Sequence, residues 1–298
     1  MNEIPALNAA ALLKRYGLRA RKSLGQNFLQ DPVALEKIVS AAQIEATDVV
    51  LEIGPGLGSL TRYLSVSAKE VVAVELDPGL IPPLKTILAP YPNVRLIHGD
   101  ILRLSPQDLI AEKDYLVAAN IPYYITSAVI RHLLENDPKP RRIVLTVQKE
   151  VARRICAEPG DMSLLALSVQ VYGKPRLAAG IPADSFFPAP KVDSAVLAVD
   201  IYPLPLIPSN LLDTFFNLIK AGFSQKRKTL RNSLSSGLHI PPADAENMLA
   251  RANINPQRRA ETLSIEEWQR LCEIRLSRIG PEKNSTRRTP GTQRGKAA

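Results

Sequence analysis

Asp48-Val49-Val50-Leu51-Glu52-Ile53-Gly54-Pro55-Gly56-Leu57-Gly58, then a helical span opening near Ser59, then Val71-Val72-Ala73-Val74-Glu75-Leu76-Asp77, decides the fold of this 298-residue chain. A short apolar run that closes on glycines is a buried strand entering a tight turn, and a second apolar run beyond a helix completes a β-α-β unit. In open α/β sheets ligands bind at the carboxyl ends of such strands, and glycine there permits close backbone approach. A dinucleotide fingerprint would read Gly-x-Gly-x-x-Gly. Here Ser59 takes the place of the third glycine and Pro55 stands inside the loop, which argues against a nicotinamide cofactor. Glu75, about 20 residues past the glycine loop, is the carboxylate expected to grip a ribose diol.

Working outward, strands are predicted at Val94–Ile97, Tyr115–Ala119, Ile143–Val147, Leu177–Ile181 and Ala195–Ile201, with helices interleaved over the first five strands. That alternation predicts an α/β fold, a Rossmann-like, mostly parallel sheet covered on both faces, with the last two strands forming an antiparallel hairpin at one edge. On the amino-terminal side, an amphipathic helix through about Tyr16 leads to a basic loop, Arg19 to Gln30. Asp31-Pro32 then reads as an N-cap followed by proline at the first helical position, with the helix running to about Gln43. The charge order of the first residues is the inverse of a secretory signal, so the segment reads as part of the fold.

The proline-rich Tyr202-Pro203-Leu204-Pro205-Leu206-Ile207-Pro208 ends the strand pattern, which places a domain boundary at 203/204. From Ser209 to about Ser277 the periodicity is helical, predicting a small all-α domain (204–279) of about four helices with Trp268 as a core anchor. Residues 280–298 are basic and nearly free of apolar side chains, so disorder is predicted there. The net charge of +9 is unevenly spread: residues 203–298 carry 16 basic and 8 acidic groups, residues 1–202 carry 22 and 21. A surplus confined to one segment fits a phosphate-tracking surface beside a nearly neutral catalytic body. No apolar run of about 18 residues occurs, so no membrane span is expected. Cys156 and Cys272 are far apart with only three histidines in the chain, so neither a disulfide framework nor a metal site is expected. Cytoplasmic location and a monomeric state are the default expectations.

Two further strand ends carry chemistry. Asp100, in Gly99-Asp100-Ile101, fits an adenine amino group or a solvated turn equally well when taken alone. Asn120-Ile121-Pro122-Tyr123 follows an apolar strand and offers carbonyl acceptors and an aromatic face to one planar base, or else is a plain strand exit ended by proline. An exocyclic adenine amine is a poor nucleophile whose lone pair must be drawn back by acceptors holding its hydrogens, and Asn120 with the Ile121 carbonyl are suited to that. Gly54, Glu75, Asp100 and Asn120 fall at successive strand ends and so converge on one sheet edge. A nucleoside-shaped ligand without a pyrophosphate, beside an amine grip, describes an S-adenosylmethionine-dependent (class I) methyltransferase.

The motifs Lys22-Ser23-Leu24-Gly25-Gln26-Asn27-Phe28-Leu29, the glycine loop through Leu60-Thr61, Glu75-Leu76-Asp77, Gly99-Asp100, Asn120-Ile121-Pro122-Tyr123 and Phe186-Phe187-Pro188-Ala189-Pro190-Lys191-Val192-Asp193-Ser194 together resemble the ribosomal RNA adenine dimethyltransferases. Phe223 to Leu234, with Lys226, Arg227, Lys228 and Arg231, resembles the helical domain of the bacterial small-subunit (16S) branch of that family. The resemblance implies S-adenosyl-L-methionine as methyl donor, bound by Asn27, Leu29, Gly54, Glu75, Asp100 and Asn120. It implies as substrate two adjacent adenines in a hairpin loop near the 3′ end of 16S rRNA in the 30S subunit or its precursor, each dimethylated at N6. Tyr123 is expected to stack on the target base, with Phe187 on its other face or else in the core, and Phe186 in the core. Arg227 and Arg231, four apart, are expected to share a helical face that presents cations to phosphates. The competing functions are methylation of 23S rRNA and a ribosome-assembly role in which catalysis is incidental. Tyr124, where bacterial relatives often carry asparagine, is the local departure from the pattern.

Overall fold

A computed structural model describes residues 4–278. The residues for which disorder is predicted, 280–298, lie outside that range. Among the described residues the strands are β1 (Phe28–Leu29), β2 (Val49–Ile53), β3 (Glu70–Glu75), β4 (Val94–His98), β5 (Leu116–Asn120), β6 (Arg142–Gln148), β7 (Gly173–Ile181), β8 (Phe186–Phe187) and β9 (Ser194–Ile201). Helices α1 (Ala9–Arg15), α2 (Pro32–Ala42), α3 (Ser59–Ser67), α4 (Ile81–Leu88), α5 (Pro106–Leu109), α6 (Thr126–Glu135), α7 (Lys149–Ile155) and α8 (Leu164–Gln170) accompany the strands. Four more follow: α9 (Leu212–Gly222), α10 (Leu230–Leu238), α11 (Pro242–Arg251) and α12 (Ile265–Arg278).

The large sheet has the order β4-β3-β2-β5-β6-β9-β7, parallel from β4 through β6 and antiparallel around β9. Burial follows that order. Every residue of β2 is buried, as is required of a parallel strand covered on both faces, while the edge strands β4 and β7 are partly exposed. Strand order reverses between β2 and β5, so the crevice for a ligand lies at their carboxyl ends. The expected antiparallel pairing of β7 with β9 is present. Its second strand is not at the edge, however: β9 inserts between β7 and β6 and pairs with β6 over seven residues, Arg142↔Asp200 to Gln148↔Ser194.

The two-residue strands β1 and β8 form a small sheet of their own, Phe28↔Phe187 and Leu29↔Phe186, extended by Gln30 N–H donating to Ser185 O at 3.1 Å. This pins the amino-terminal loop to the segment before β9. Asp31 caps α2 as its sequence predicts, accepting from Val33 N–H at 3.0 Å, and its other oxygen accepts from the Ser185 hydroxyl.

The carboxyl-terminal helices pack around fully buried Trp268, with Gly222 directly beneath its ring: a β-carbon on Gly222 would stand 2.5 Å from a ring carbon. Their apolar cluster is continuous with that on one face of the sheet, and Tyr172 at the sheet stacks on Phe216 of α9 with ring centroids 6.3 Å apart. Lys226, Arg227 and Lys228 are not on a helical face. Helix α9 ends at Gly222, where the Ser224 hydroxyl takes the Ala221 carbonyl at 2.7 Å, and α10 begins only at Leu230, so the three cations occupy the exposed connection. Arg231 alone is on α10, and it pairs with Glu246 of α11 at 3.0 Å. No helix among the described residues is long and apolar enough to cross a membrane.

Candidate active site

The strand ends meet as the spacing predicts. A cavity of about 310 Å³, within the range of small-molecule sites, is lined by the glycine loop after β2, by Glu75 and Leu76, by Gly99 to Leu102, and by Asn120 to Ile125. The loop Leu24–Leu29 covers it. Asn27, Leu29, Gly54, Glu75, Asp100, Asn120, Ile121, Pro122 and Tyr123 all belong to the lining. Phe187 does not. Its backbone pairs with Phe28, and its half-buried side chain packs against the apolar cluster that includes Phe28, Leu57 and Leu84.

The glycine loop earns its composition. Gly54, Gly56 and Gly58 have φ of +68°, +62° and +79°, a left-handed backbone that disfavours any side chain. At Gly56 a β-carbon would also stand 3.0 Å from the Phe28 ring, so glycine lets the covering loop sit down on the turn. Gly56 N–H points inward and donates to Glu75 Oε2 at 3.1 Å, while Asp77 N–H donates to Glu75 Oε1 at 2.8 Å. Burial raises the Glu75 pKa above the usual carboxylate range, and those two backbone donors hold it back in part.

Asn120 is oriented by the covering loop. Its Nδ2 donates to the Asn27 carbonyl at 3.1 Å, which leaves Oδ1 as the acceptor end of the amide, and Asn27 Nδ2 in turn donates to Gly25 O at 3.3 Å. Tyr123 is held by its hydroxyl, 2.6 Å from Oγ of fully buried Ser194 at the start of β9. Burial raises the Tyr123 pKa, outweighing the opposing Ser194 bond, so the phenol remains protonated and is unsuited to act as a base. Asp100 lies at the far side, with Oδ1 accepting from Leu102 N–H at 3.0 Å and Oδ2 3.5 Å from Arg103 Nε.

Three residues at this site carry no role in the sequence reading. Asp77 is a latch: it accepts from Gln26 Nε2 at 2.8 Å and from Gly79 N–H at 2.9 Å, and pairs with Arg21 at 3.0 Å, tying the covering loop to the end of β3. Ser194 is the Tyr123 tether. Glu52 is 1% exposed, lines the cavity, and its Oε2 has no hydrogen-bond partner. Burial pushes its pKa up to about 8; the nearby Thr61 hydroxyl offsets this in part, and the Glu75 charge adds to it. An acid inside the otherwise apolar Val49–Ile53 was the available signal, since charge is rarely buried without a purpose.

A family model for the ribosomal RNA adenine dimethylases matches residues 17–275. The chain belongs to the ribosomal RNA adenine dimethylase family. The ribosomal RNA small subunit methyltransferase A of Dehalococcoides mccartyi is 48% identical over 271 residues, covering 90% of this chain and 93% of the relative. The Alkaliphilus metalliredigens protein of the same name is 43% identical over 268 residues, covering 88% and 93%. Among solved structures, a dimethyladenosine transferase from Plasmodium falciparum superposes with a TM-score of 0.69 at 28% identity, covering 82% of this chain and 95% of that one. The 23S rRNA methyltransferase ErmE gives 0.67 at 29%, covering 83% and 99%. The protein is therefore an rRNA adenine dimethyltransferase of the family, an enzyme whose methyl donor is S-adenosylmethionine. The residues present fit that donor: Glu75 has two oxygens at a strand end for a diol, the glycine backbone permits close approach, and the unpartnered Glu52 oxygen favours a ligand that is cationic.

Proposed function

We propose that the protein dimethylates N6 of two adjacent adenines in the 3′-terminal hairpin loop of 16S rRNA, acting on the 30S subunit or its precursor during ribosome biogenesis. The observation that carries this reading is the Asn120 amide, turned by the Asn27 carbonyl so that Oδ1 and the neighbouring Ile121 carbonyl can accept the two hydrogens of one exocyclic amine. Small-subunit specificity is supported by the relatives at 43–48% identity that carry the small-subunit name.

When bound, the donor supplies an electrophilic methyl on a sulfonium. The protein's own part is positioning and electrostatics. Glu75, Gly54, Asp100, Asn27 and Leu29 hold the donor at the strand ends. Tyr123, fixed by Ser194, stacks one face of a base extruded from the hairpin loop, an extrusion that is cheaper from a loop than from a duplex. Asn120 and the Ile121 carbonyl localise the amine lone pair, and Pro122 keeps the turn rigid between those acceptors and Tyr123. No strong base is needed, because the amine becomes acidic only after it has accepted the methyl. Its proton then passes to the Asn120 oxygen, the Ile121 carbonyl or water. Phe187, paired with Phe28 of the covering loop, is the candidate for the second face of the base.

Residues 204–279 serve as the RNA-binding domain in this reading. Lys226, Arg227 and Lys228 are exposed, and no carboxylate lies within 4.0 Å of any of them among the described residues. Arg231 adds a fourth cation from the start of α10, although Glu246 competes for it. Arg258, by contrast, is used internally, bonded to Glu267 and Thr262. The protein is expected to act as a monomer. The test is to incubate it with labelled donor and undermethylated 30S or 50S particles and to map the modified nucleotides. Four methyl groups on two neighbouring adenines of 16S rRNA are expected, and labelling confined to 50S overturns the assignment.

A further inference from the structure

Tyr124 is the most exposed aromatic side chain among the described residues, at 65% exposure, and it stands at the rim of the cavity. Consecutive residues of a 3-10 turn point about 120° apart. In the turn Tyr123–Ile125 this sends the Tyr123 hydroxyl to Ser194, whereas the Tyr124 ring goes to the outside of the mouth. The Tyr124 hydroxyl has no hydrogen bond among the described residues, so no polar contact explains its position. One edge of the ring rests on Gly25 of the covering loop. A β-carbon there would lie 3.2 and 3.3 Å from two ring carbons of Tyr124 and 3.1 Å from Cβ of Pro122, and the φ of Gly25 is +60°. The ring is thus propped on a backbone that has no side chain to cover it. Gly25 N–H donates to Lys22 O at 3.0 Å, which places exposed Lys22 on the same tight turn as the ring's support.

We propose that Tyr124 forms a second base-binding subsite: its ring stacks the nucleobase that neighbours the adenine held against Tyr123. The inference rests on the function proposed above, in which the target is one of two adjacent bases. Extruding one base strips its neighbour of a stacking partner, and an exposed ring one residue along the same turn replaces it. An aromatic face beside a cation is the pairing by which proteins hold single-stranded nucleic acid. The subsite takes any planar purine or pyrimidine and needs no hydrogen bonds. Two rings on adjacent residues would therefore read two adjacent bases, one for chemistry and one for register.

The test compares Y124A, Y124F and Y124W on undermethylated small-subunit particles, with donor affinity measured separately by calorimetry on the particle-free protein. Stacking by alanine substitution accounts for about a 5- to 150-fold change. Y124A is expected to lower kcat/KM for the particle by that factor and to leave donor affinity and the salt dependence of kcat/KM unchanged, while Y124F and Y124W stay near wild type. Wild-type kcat/KM in Y124A overturns the subsite, as does a Y124F loss equal to that of Y124A. A Y124A donor affinity that falls in step with kcat/KM also overturns it, since the ring would then only prop the covering loop. If wild-type protein labels 50S particles alone, the proposed function fails by itself, and the same three variants compared on 50S decide the subsite.

Discussion

Replacing Glu52 with glutamine should make the donor-free protein less sensitive to alkaline pH. Glu52 has a folded pKa of about 8 against 4.5 when unperturbed, because burial disfavours its charged form. The folded state therefore holds the proton more tightly than the unfolded chain. The stability from this group is fully present below about pH 4.5, and is lost as pH rises through about 8. With about 1.4 kcal/mol for each pK unit, the loss expected between pH 6 and pH 8 is about 2 kcal/mol. Glutamine keeps the shape and cannot ionise, so Glu52→Gln should lack this component while retaining every other titrating group, including Glu75, whose pKa is also raised. Urea unfolding of donor-free wild type and variant at both pH values measures it. The difference in unfolding free energy between the two proteins should change by about 2 kcal/mol, a midpoint change on the order of 1 M at ordinary m-values. A cationic ligand in the cavity should shrink that difference by stabilising the Glu52 carboxylate. Wild type and variant whose stabilities run parallel across pH 6–8 would refute the argument, since Glu52 would then be solvated or paired in a way its unpartnered oxygen denies.

Two further outcomes follow from the site and the basic connection. Asn120→Ala should bind donor measurably yet lose about 100- to 1000-fold in methyl transfer, the usual cost of deleting one preorganised polar contact to a reacting group; undiminished turnover would remove Asn120 from the chemistry. Neutralising Lys226, Arg227 and Lys228 together should reduce the slope of log binding constant against log salt by about 2 to 3, and an unchanged slope would mean that the loop does not meet phosphates.

What the sequence revealed, and what it concealed, divides by distance along the chain. Strands β2 to β7 and β9 each announce themselves by a local apolar run, and the rule that ligands gather at the carboxyl ends of such strands sufficed to bring Gly54, Glu75, Asp100 and Asn120 to one cavity. Strands β1 and β8 are two residues each, too short for any periodic signal, and they exist because Phe28 and Phe187, far apart in sequence, meet in space. The Tyr123 hydroxyl finds Ser194, a partner 71 residues away, and no local pattern marks that choice. The expected helical face for Arg227 and Arg231 does not form, for a physical reason. The spacing of four between Arg227 and Arg231 suggests one helical face, but α9 ends at Gly222 with the Ser224 hydroxyl donating to the Ala221 carbonyl, and α10 begins only at Leu230, so Lys226, Arg227 and Lys228 fall in a connection instead. Phe187, read from sequence as either a second face for the target base or a core aromatic, pairs with Phe28 and is not among the residues lining the cavity, a pairing across 159 residues that no local pattern marks.

The small sheet of β1 and β8, together with the Ser194 tether, has a consequence for the protein's own synthesis. The covering loop is made almost first, yet its anchoring strand at Phe186–Phe187 and the serine that holds Tyr123 leave the ribosome some 160 residues later. At ordinary rates of elongation that is a delay of roughly ten to thirty seconds. Until then the nascent chain has its glycine turn and its strand-end acids but neither a fastened lid nor an anchored tyrosine. A chain released before Ser194 lacks both the tyrosine tether and the strand that joins β6 to β7, so the site is completed only late in synthesis.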